Sequence, residues 1–371
     1  MIACETVHLH RGLYMKIVFL SYLHGFGGAE KQIVNLSNEM AKRGHAVSLI
    51  SISVDNNCYK LDDRVEYYYI PDEKTGWQRI LSRYKSLKKA LKTIKPDITV
   101  SFWYQSAYLT SLMKKSITGR IIYSERGDPG DKEYSGALGL VRKLTLPFID
   151  GFVFQSKGAQ EFFSRNVQKR SVVIHNPVFI AENFPEVTKR RRAIVTVGRL
   201  HPQKNQKLLI DAFADITICF PDYSLEIYGE GGLKDELNNQ IESLGLNNKV
   251  FLKGTSQHIY SLIYDAALFV LSSDYEGLPN TLLEAMSLGI PSISTDCKPG
   301  GVREIIDNNI NGIITPIGNK ELLVSAIKRI LSDDKIGASF SIEGKKKMTS
   351  FSPDIVYSRW EQFFNHVLLG E

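Results

Sequence analysis

Long apolar runs, paired cysteines and an Asp-x-Asp pair are all missing from this chain, and each absence removes a class of protein. No stretch approaches the roughly 18 apolar residues that suggest a membrane-spanning helix, so the chain is expected to be globular and not to cross a bilayer. The cysteines, Cys4, Cys58, Cys219 and Cys297, are scattered. With no CxxC pair and no Cys/His cluster at metal spacing, neither a disulfide framework nor a structural zinc site is indicated, and the cytosol is the simplest compartment. No Asp-x-Asp occurs. The usual aspartate pair for bridging a metal is therefore absent, and neither a metal nor another cofactor is expected. The opening MIACETVHLHRGLY lacks the apolar core of a signal peptide, and a strand pattern begins only after Met15. Residues 1–14 are expected to be a disordered extension, with Met15 the natural start.

What is present is enough chain for two cores, since 371 residues exceed a single domain of ordinary size. Short apolar runs (KIVFLS, HAVSLISI, DITVSF, GRIIYSE, IDGFVFQS) alternate with amphipathic stretches of helical length. This is the rhythm of a parallel sheet wrapped by helices, so an α/β unit is expected over 15–178. In VVIHNPVFIAENFPEVTKRRR two prolines, one of them in an Asn-Pro step, and a basic run break this rhythm, and 179–190 is expected to be a linker. The rhythm then resumes over 191–351 with RAIVTVGRL, YSLEIYGEG, KVFLKG, LFVLSSD and IPSIST. Two doubly wound domains facing each other would form a cleft beyond the C-terminal ends of their strands. The segment 352–371, FSPDIVYSRWEQFFNHVLL and its tail, reads as an amphipathic helix begun by Ser352 and Pro353.

The net charge of +6 favours anionic partners. Part of it lies in WQRILSRYKSLKKALKTIKPD, where Ile80, Tyr84, Leu87, Leu91 and Ile94 share one helical face and Lys85, Lys88, Lys89, Lys92 and Lys95 lie off it. Two readings stand, a solvated outer face and a docking face for anionic lipid headgroups. Nucleic acid is disfavoured, because basic residues are nowhere interleaved with stacking aromatics.

Two segments carry chemistry. After AIVTVG comes RLHPQKNQ, which presents Arg199 and Lys204 at a strand end before a helix; two cations there suit a diphosphate, although they also suit an ordinary loop. In EGLPNTLLEAMSLG a helix is expected from Pro279 to Leu288, with Gly289 just past its end. Its free amides at Asn280, Thr281 and Leu282 would make an anion site. Glu284, one turn in, can accept from a diol such as ribose, and Glu276 can reach a different group beyond the phosphates. Acids at the hydroxyl-rich ends of a ligand with an anionic middle describe a nucleoside-diphosphate sugar.

GRLHPQKN, EGLPNTLLEAM with its Glu-x7-Glu spacing, PGGVREII at 299–306 and HGFGGAEKQIVNLSNEMAKRGHAV near the N-terminus together resemble the GT-B fold retaining glycosyltransferases of family 4, also called group 1. The wording is similar to a subgroup that builds bacterial surface polysaccharides. The resemblance implies two Rossmann-like domains facing a cleft, the first binding acceptor and the second the nucleotide sugar, with the C-terminal helix crossing back to the first. It implies that Arg199 and Lys204 hold the donor diphosphate, that Glu284 binds ribose and that Glu276 binds hydroxyls of the transferred sugar. Gly27 and Gly28 would let backbone amides approach the diphosphate or the acceptor. Gly198, Gly229 to Gly232 and Gly254 would border the donor, and Gly300 and Gly301 a nearby turn. Many members carry a histidine after the strand that reads RIIYSE here. This chain has instead YSERGDPGD, so Glu125, Arg126 and Asp128 are candidates for phosphate or acceptor contacts, with a plain turn at Asp-Pro as the alternative. His24 is a further cleft candidate.

The implied reaction is transfer of a hexose or N-acetylhexosamine from a UDP-sugar, with retention and without a metal. The implied acceptor is a polyprenyl-diphosphate-linked sugar at the inner face of the plasma membrane, as in O-antigen, capsule or exopolysaccharide assembly. The alternatives are a phospholipid or diacylglycerol acceptor and a non-catalytic subunit that binds a nucleotide sugar. A non-hydrolysing UDP-sugar epimerase shares the two-domain form but needs several acid/base carboxylates in the cleft, which the motifs do not supply.

Overall fold

The computed structural model describes residues 14–370 apart from 24, 26, 58, 73 and 180–183. The proposed extension, all but Tyr14, and the candidate His24 therefore lie outside the described residues.

In the first unit the apolar runs form strands β1 (Lys16–Leu23), β2 (Ala46–Asp55), β3 (Val65–Pro71), β4 (Ile98–Phe102), β5 (Arg120–Ser124), β6 (Gly151–Phe154) and β7 (Ser171–Val173). All pair in parallel, in the order β3-β2-β1-β4-β5-β6-β7. Between them run α1 (Gly28–Lys42), α2 (Gly76–Ile94), α3 (Tyr104–Leu112), α4 (Gly136–Thr145), α5 (Lys157–Glu161) and α6 (Arg165–Gln168). Strands β4 and β6 are buried along their whole length, as strands covered on both faces must be. Alternation along β1 sorts the helices: Ile17 and Phe19 pack with Ile33, Val34 and Met40 of α1, while Val18 and Leu20 pack with Leu87 and Leu91 of α2 and Leu109 of α3.

The second unit contains β8 (Arg191–Val197), β9 (Ser224–Tyr228), β10 (Val250–Gly254), β11 (Ala266–Leu271), β12 (Ser292–Thr295) and β13 (Ile313–Thr315), in the order β10-β9-β8-β11-β12-β13 and again all parallel. Its helices are α7 (Gln206–Cys219), α8 (Lys234–Ser243), α9 (Ile259–Ile263), α10 (Asn280–Ser287), α11 (Val302–Ile305), α12 (Lys320–Leu331) and α13 (Asp334–Met348). In each sheet the order reverses beside the first strand, between β1 and β4 and between β8 and β11. A crevice opens at such a switch point, because the connections leave the two strands in opposite directions.

The last helix, α14 (Pro353–Leu369), has Ser352 at its N-cap and Pro353 in its first turn. It crosses back onto the first sheet, as the resemblance implies. Trp360, Phe363 and Phe364 are buried in one core with Phe19 and Phe102, and Trp360 stacks on Phe102 with ring centroids 6.3 Å apart. A Cβ at Gly151 would lie 2.8 Å from Val367 and 3.0 Å from Phe363, so the bare backbone of β6 lets this helix seat. Arg43 ties the helix down by an ion pair to Glu361 at 2.9 Å.

The apolar face of α2 is only partly covered. Of its apolar face only Leu87 and Leu91 are fully buried, while Ile80 is 46% exposed and stands with Trp77 (71%) and Leu81 (43%) in solvent. The core beneath α2 meets the C-terminal half of the helix, with Tyr84, Ala90 and Ile94 packed at its margin. Among the described residues, no helix is long and apolar enough to cross a membrane.

Candidate active site

A cavity of about 710 Å³ lies where the two switch points face each other. The first unit contributes Gly27, Gly28, Ala29 and Glu30 after β1, Trp103 after β4, Arg126 and Asp128 after β5, Gln155 after β6 and Asn176 after β7. The second contributes Gly198, Arg199, Gln203 and Lys204 after β8, and Tyr275 through Thr281 after β11. The first turns of α1 and α10 thus border one space, so two positive helix ends share it. A Cβ at Gly28 would lie 2.9 Å from the side-chain Nδ2 of Asn280, and this bare position leaves room for that side chain between the two helices.

Arg199 and Lys204 differ in their surroundings. Arg199 is exposed, and its guanidinium has no hydrogen bond or ion pair among the described residues. Lys204 folds its stem over Gly198, where a Cβ would meet it at 3.1 Å, and its Nζ donates to Glu276 Oε1. Ser273 Oγ donates to the same oxygen at 2.7 Å. The Glu276 amide donates to Lys298 O at 2.7 Å, and Gln203 Nε2 donates to Tyr275 O at 2.8 Å, which joins the two loops. Glu276 Oε2 has no protein partner among the described residues, so the carboxylate is held by one oxygen and offers the other to the cavity.

Around α10 the structure makes two corrections. Pro279 is the N-cap, in extended conformation, and the helix begins at Asn280. The Leu282 amide donates to Pro279 O at 3.1 Å and its side chain is buried. The proline carbonyl tightens the first turn and takes up that donor, so the free amides are those of Asn280 and Thr281. Glu284 does not line the large cavity. It borders an adjoining pocket of about 10 Å³ with Lys31, Tyr260 and Asn280, about the room of a single water. There Lys31 Nζ of α1 pairs with Glu284 at 3.3 Å. Burial and the Glu284 carboxylate push the Tyr260 hydroxyl well above its ordinary range.

On the first unit, the structure separates the three residues of the Glu-Arg-Gly-Asp loop. Glu125 is buried and does not line the cavity, which corrects its candidacy as an acceptor or phosphate contact. Its carboxylate accepts from the Tyr123 hydroxyl and from the amides of Arg126 at 2.9 Å and Gly127 at 3.1 Å, so it anchors the loop from below. Burial raises its pKa in spite of those donors. Asp128 lines the cavity and also accepts from the Gly130 amide at 2.8 Å, as a turn residue does. Arg126 lies over the Phe102 ring at 4.1 Å and near Trp360 at 5.5 Å, and burial pushes its guanidinium down to about 9.

The remaining glycines divide. Gly229 sits behind the site, where a Cβ would lie 2.0 Å from Gly198 O; it bridges Gly254, and neither lines the cavity. Gly232 faces open space. Gly301 packs on Gly277, and Gly277 in turn meets Arg126 O, where a Cβ would be 2.5 Å away. Gly300 has a left-handed φ of 95°, as its turn requires. Sequence reasoning missed Trp103, Gln155 and Asn176, and it missed Lys31 as the partner of Glu284. The Asn-Pro step at Asn176 was visible, but it read as a chain breaker.

With this geometry in view, comparison with known proteins is decisive for the family. The description "Glycosyltransferase Family 4" matches residues 26–182 and "Glycosyl transferases group 1" matches 180–347. The chain belongs to this family of glycosyltransferases. The glycosyltransferase is 26% identical over 354 residues to the GalNAc-alpha-(1->4)-GalNAc-alpha-(1->3)-diNAcBac-PP-undecaprenol alpha-1,4-N-acetyl-D-galactosaminyltransferase of Campylobacter jejuni, covering 93% of this chain and 97% of that protein. It is 27% identical over 394 residues to an exopolysaccharide phosphotransferase of Streptomyces coelicolor, covering 95% of this chain but spanning only 41% of that protein's length. The solved structure of HepE from Anabaena in complex with UDP superposes with a TM-score of 0.78 at 19% identity, over 94% of this chain and 99% of that one. That likeness bears on the fold, which is GT-B.

Proposed function

We propose that this glycosyltransferase moves a hexose or N-acetylhexosamine from a UDP-sugar to a polyprenyl-diphosphate-linked sugar of a bacterial surface polysaccharide, with retention of configuration and without a metal. The observation that carries the reading is the cavity between the switch points, where the amides of Asn280 and Thr281 and the cations Arg199 and Lys204 border one space with a half-free carboxylate, Glu276. A diphosphate suits the first four groups, and a sugar hydroxyl suits Glu276 Oε2. UDP in the HepE structure and the undecaprenyl diphosphate in the Campylobacter enzyme's name support the two substrates.

In this reading Arg199, Lys204 and the amides of α10 stabilise charge as the bond between the sugar's anomeric carbon and the diphosphate breaks. The acceptor hydroxyl attacks from the same face and gives its proton to the departing phosphate oxygen. Glu276 serves a sugar hydroxyl in this reading and is not the nucleophile, with Lys204 and Ser273 holding its Oε1. Ribose reaches Glu284 only after Lys31 leaves it. Side chains from both units border the cavity, and the excluded water would otherwise hydrolyse the donor.

The same reading places the protein peripherally on an anionic membrane surface. Helix α2 carries six Lys and Arg and no acid. Its Trp77, Ile80 and Leu81 are exposed, and so are Leu140, Val141 and Leu144 of α4, a helix that packs on α3. Cations beside exposed apolar side chains suit lipid headgroups and acyl chains together.

The test is incubation with UDP-sugars and a short polyprenyl-diphosphate-linked N-acetylhexosamine, with and without EDTA, read by mass spectrometry. A mass gain of one sugar, unaffected by EDTA, is expected. Release of UDP without acceptor gain would redirect the acceptor to a phospholipid or diacylglycerol. UDP-sugar binding with no turnover would replace the reading by a binding subunit.

A further inference from the structure

Burying a guanidinium is costly unless an acid or several acceptors meet it. Arg126 is 7% exposed, and its Nε has no hydrogen-bond partner among the described residues. Its Nη1 donates to a neutral amide oxygen, Asn176 Oδ1, at 3.1 Å, while the adjacent Glu125 carboxylate is turned to Tyr123 and the loop amides. Asn176 continues across the cleft, where its Nδ2 donates to Asn280 Oδ1 at 2.7 Å. One side chain thus joins a buried cation of the first unit to the residue that opens α10 in the second. All three line the same cavity.

We propose that Arg126 is a seat for a phosphate group in the cleft, and that Asn176 is the positioning residue that fixes this seat relative to the free amides of α10. The inference rests on the donor-site reading above and adds an anion contact from the opposite wall. Two substrates in that reading bring a phosphate, the nucleotide and the lipid-linked acceptor. The link through Asn280 favours the nucleotide, whose diphosphate the α10 amides would share. The rival is that Arg126 is only a strut, stacked on Phe102 and Trp360 to hold α14.

The discriminating variants are N176D and N176A, with R199A as a control outside the link. Asp at 176 keeps the shape and the acceptor toward Arg126, but its charge neutralises the guanidinium and its oxygen faces Asn280 Oδ1. UDP titration by calorimetry is expected to show Kd raised at least tenfold in N176D and severalfold in N176A. Thermal stability should be no lower in N176D than in N176A, since the new ion pair supports the loop. N176A adds no negative charge to the cavity, so weaker UDP binding in that variant is the outcome that a strut does not produce. An unchanged UDP Kd with a raised KM for the polyprenyl-diphosphate acceptor would assign the seat to the acceptor's phosphate. If both constants match wild type while R199A loses UDP, the seat is refuted and the donor site stands. If wild type itself fails to bind UDP, the donor reading falls and takes this inference with it.

Discussion

Replacing Lys204 by Ala tests whether its contact with Glu276 serves the reaction or only the fold. The two side chains are 15% and 11% exposed, so removing the ammonium strands a mostly buried carboxylate whose Oε1 keeps only Ser273. Leaving such a group underpaired costs about 1–3 kcal/mol, and breaking fully buried pairs costs up to about 5 kcal/mol. The exposure of this pair places it in the lower range, a fall in Tm of roughly 2–10 °C for a domain of this size. Loss of a cation at the developing diphosphate charge should cost about 100- to 1,000-fold in rate. Adding E276Q to K204A replaces the stranded carboxylate with a neutral amide. Most of the stability should return, as coupled pairs allow, while transfer should stay low because the cation is still missing and the amide is a weaker acceptor for a sugar hydroxyl. The assays are a thermal melt and UDP release coupled to acceptor mass gain. The reasoning is refuted if K204A transfers sugar near the wild-type rate, or if the double variant recovers activity along with stability.

Three further outcomes follow from the same geometry. Substituting Lys31 by Ala frees Glu284 of an ion pair worth about 0.2–1 kcal/mol, so UDP should bind about 1.5- to 5-fold tighter by calorimetry; weaker binding would make Lys31 a ligand contact and not a competitor. Burial alone would raise the Glu304 carboxyl, but His175 at 3.2 Å and the Lys157 amide at 2.8 Å outweigh it and hold it below its ordinary 4.5. A lowered carboxyl stabilises above its unfolded pKa and loses that contribution as pH falls through the folded value, so E304Q should flatten the loss of Tm below about pH 4.5. Leu140 and Leu144 are 60% and 63% exposed, so L140E/L144E should leave Tm within about 2 °C, since exposed sites change stability little. It should also weaken sedimentation with phosphatidylglycerol vesicles by at least tenfold, about 1.4 kcal/mol; unchanged sedimentation would remove α4 from the membrane face.

Much of the second unit's wall of the cavity was legible because it is local. Strand β8 followed by Gly198, Arg199 and Lys204, and the Glu276 turn followed by α10, are each set by a strand end, a proline and a helix start within a few residues. The two corrections at α10 are also local, since Pro279 supplies a carbonyl to the first turn and so displaces both the helix start and the Leu282 amide. Glu125 was misplaced for another reason. Loop chemistry cannot tell whether a carboxylate points at the cleft or at Tyr123 beneath it, since that depends on side chains brought by other strands. The exposure of Ile80 is similar, because helical spacing defines a face but not how far the core beneath it extends.

What the sequence determined by itself was the alternation of elements, the family and the identity of the charged residues at two strand ends, because these depend on periodicity and near-neighbour chemistry. Which groups meet was decided only in three dimensions. Lys204 and Glu276 stand 72 residues apart, Lys31 and Glu284 stand 253 apart, and Asn176 and Asn280 stand 104 apart. The first contact forms because β8 and β11 lie side by side at one switch point, and the other two require the switch points of both units to meet at one cleft. No local pattern encodes such a meeting, because it follows from strand order and from the seating of one unit on the other.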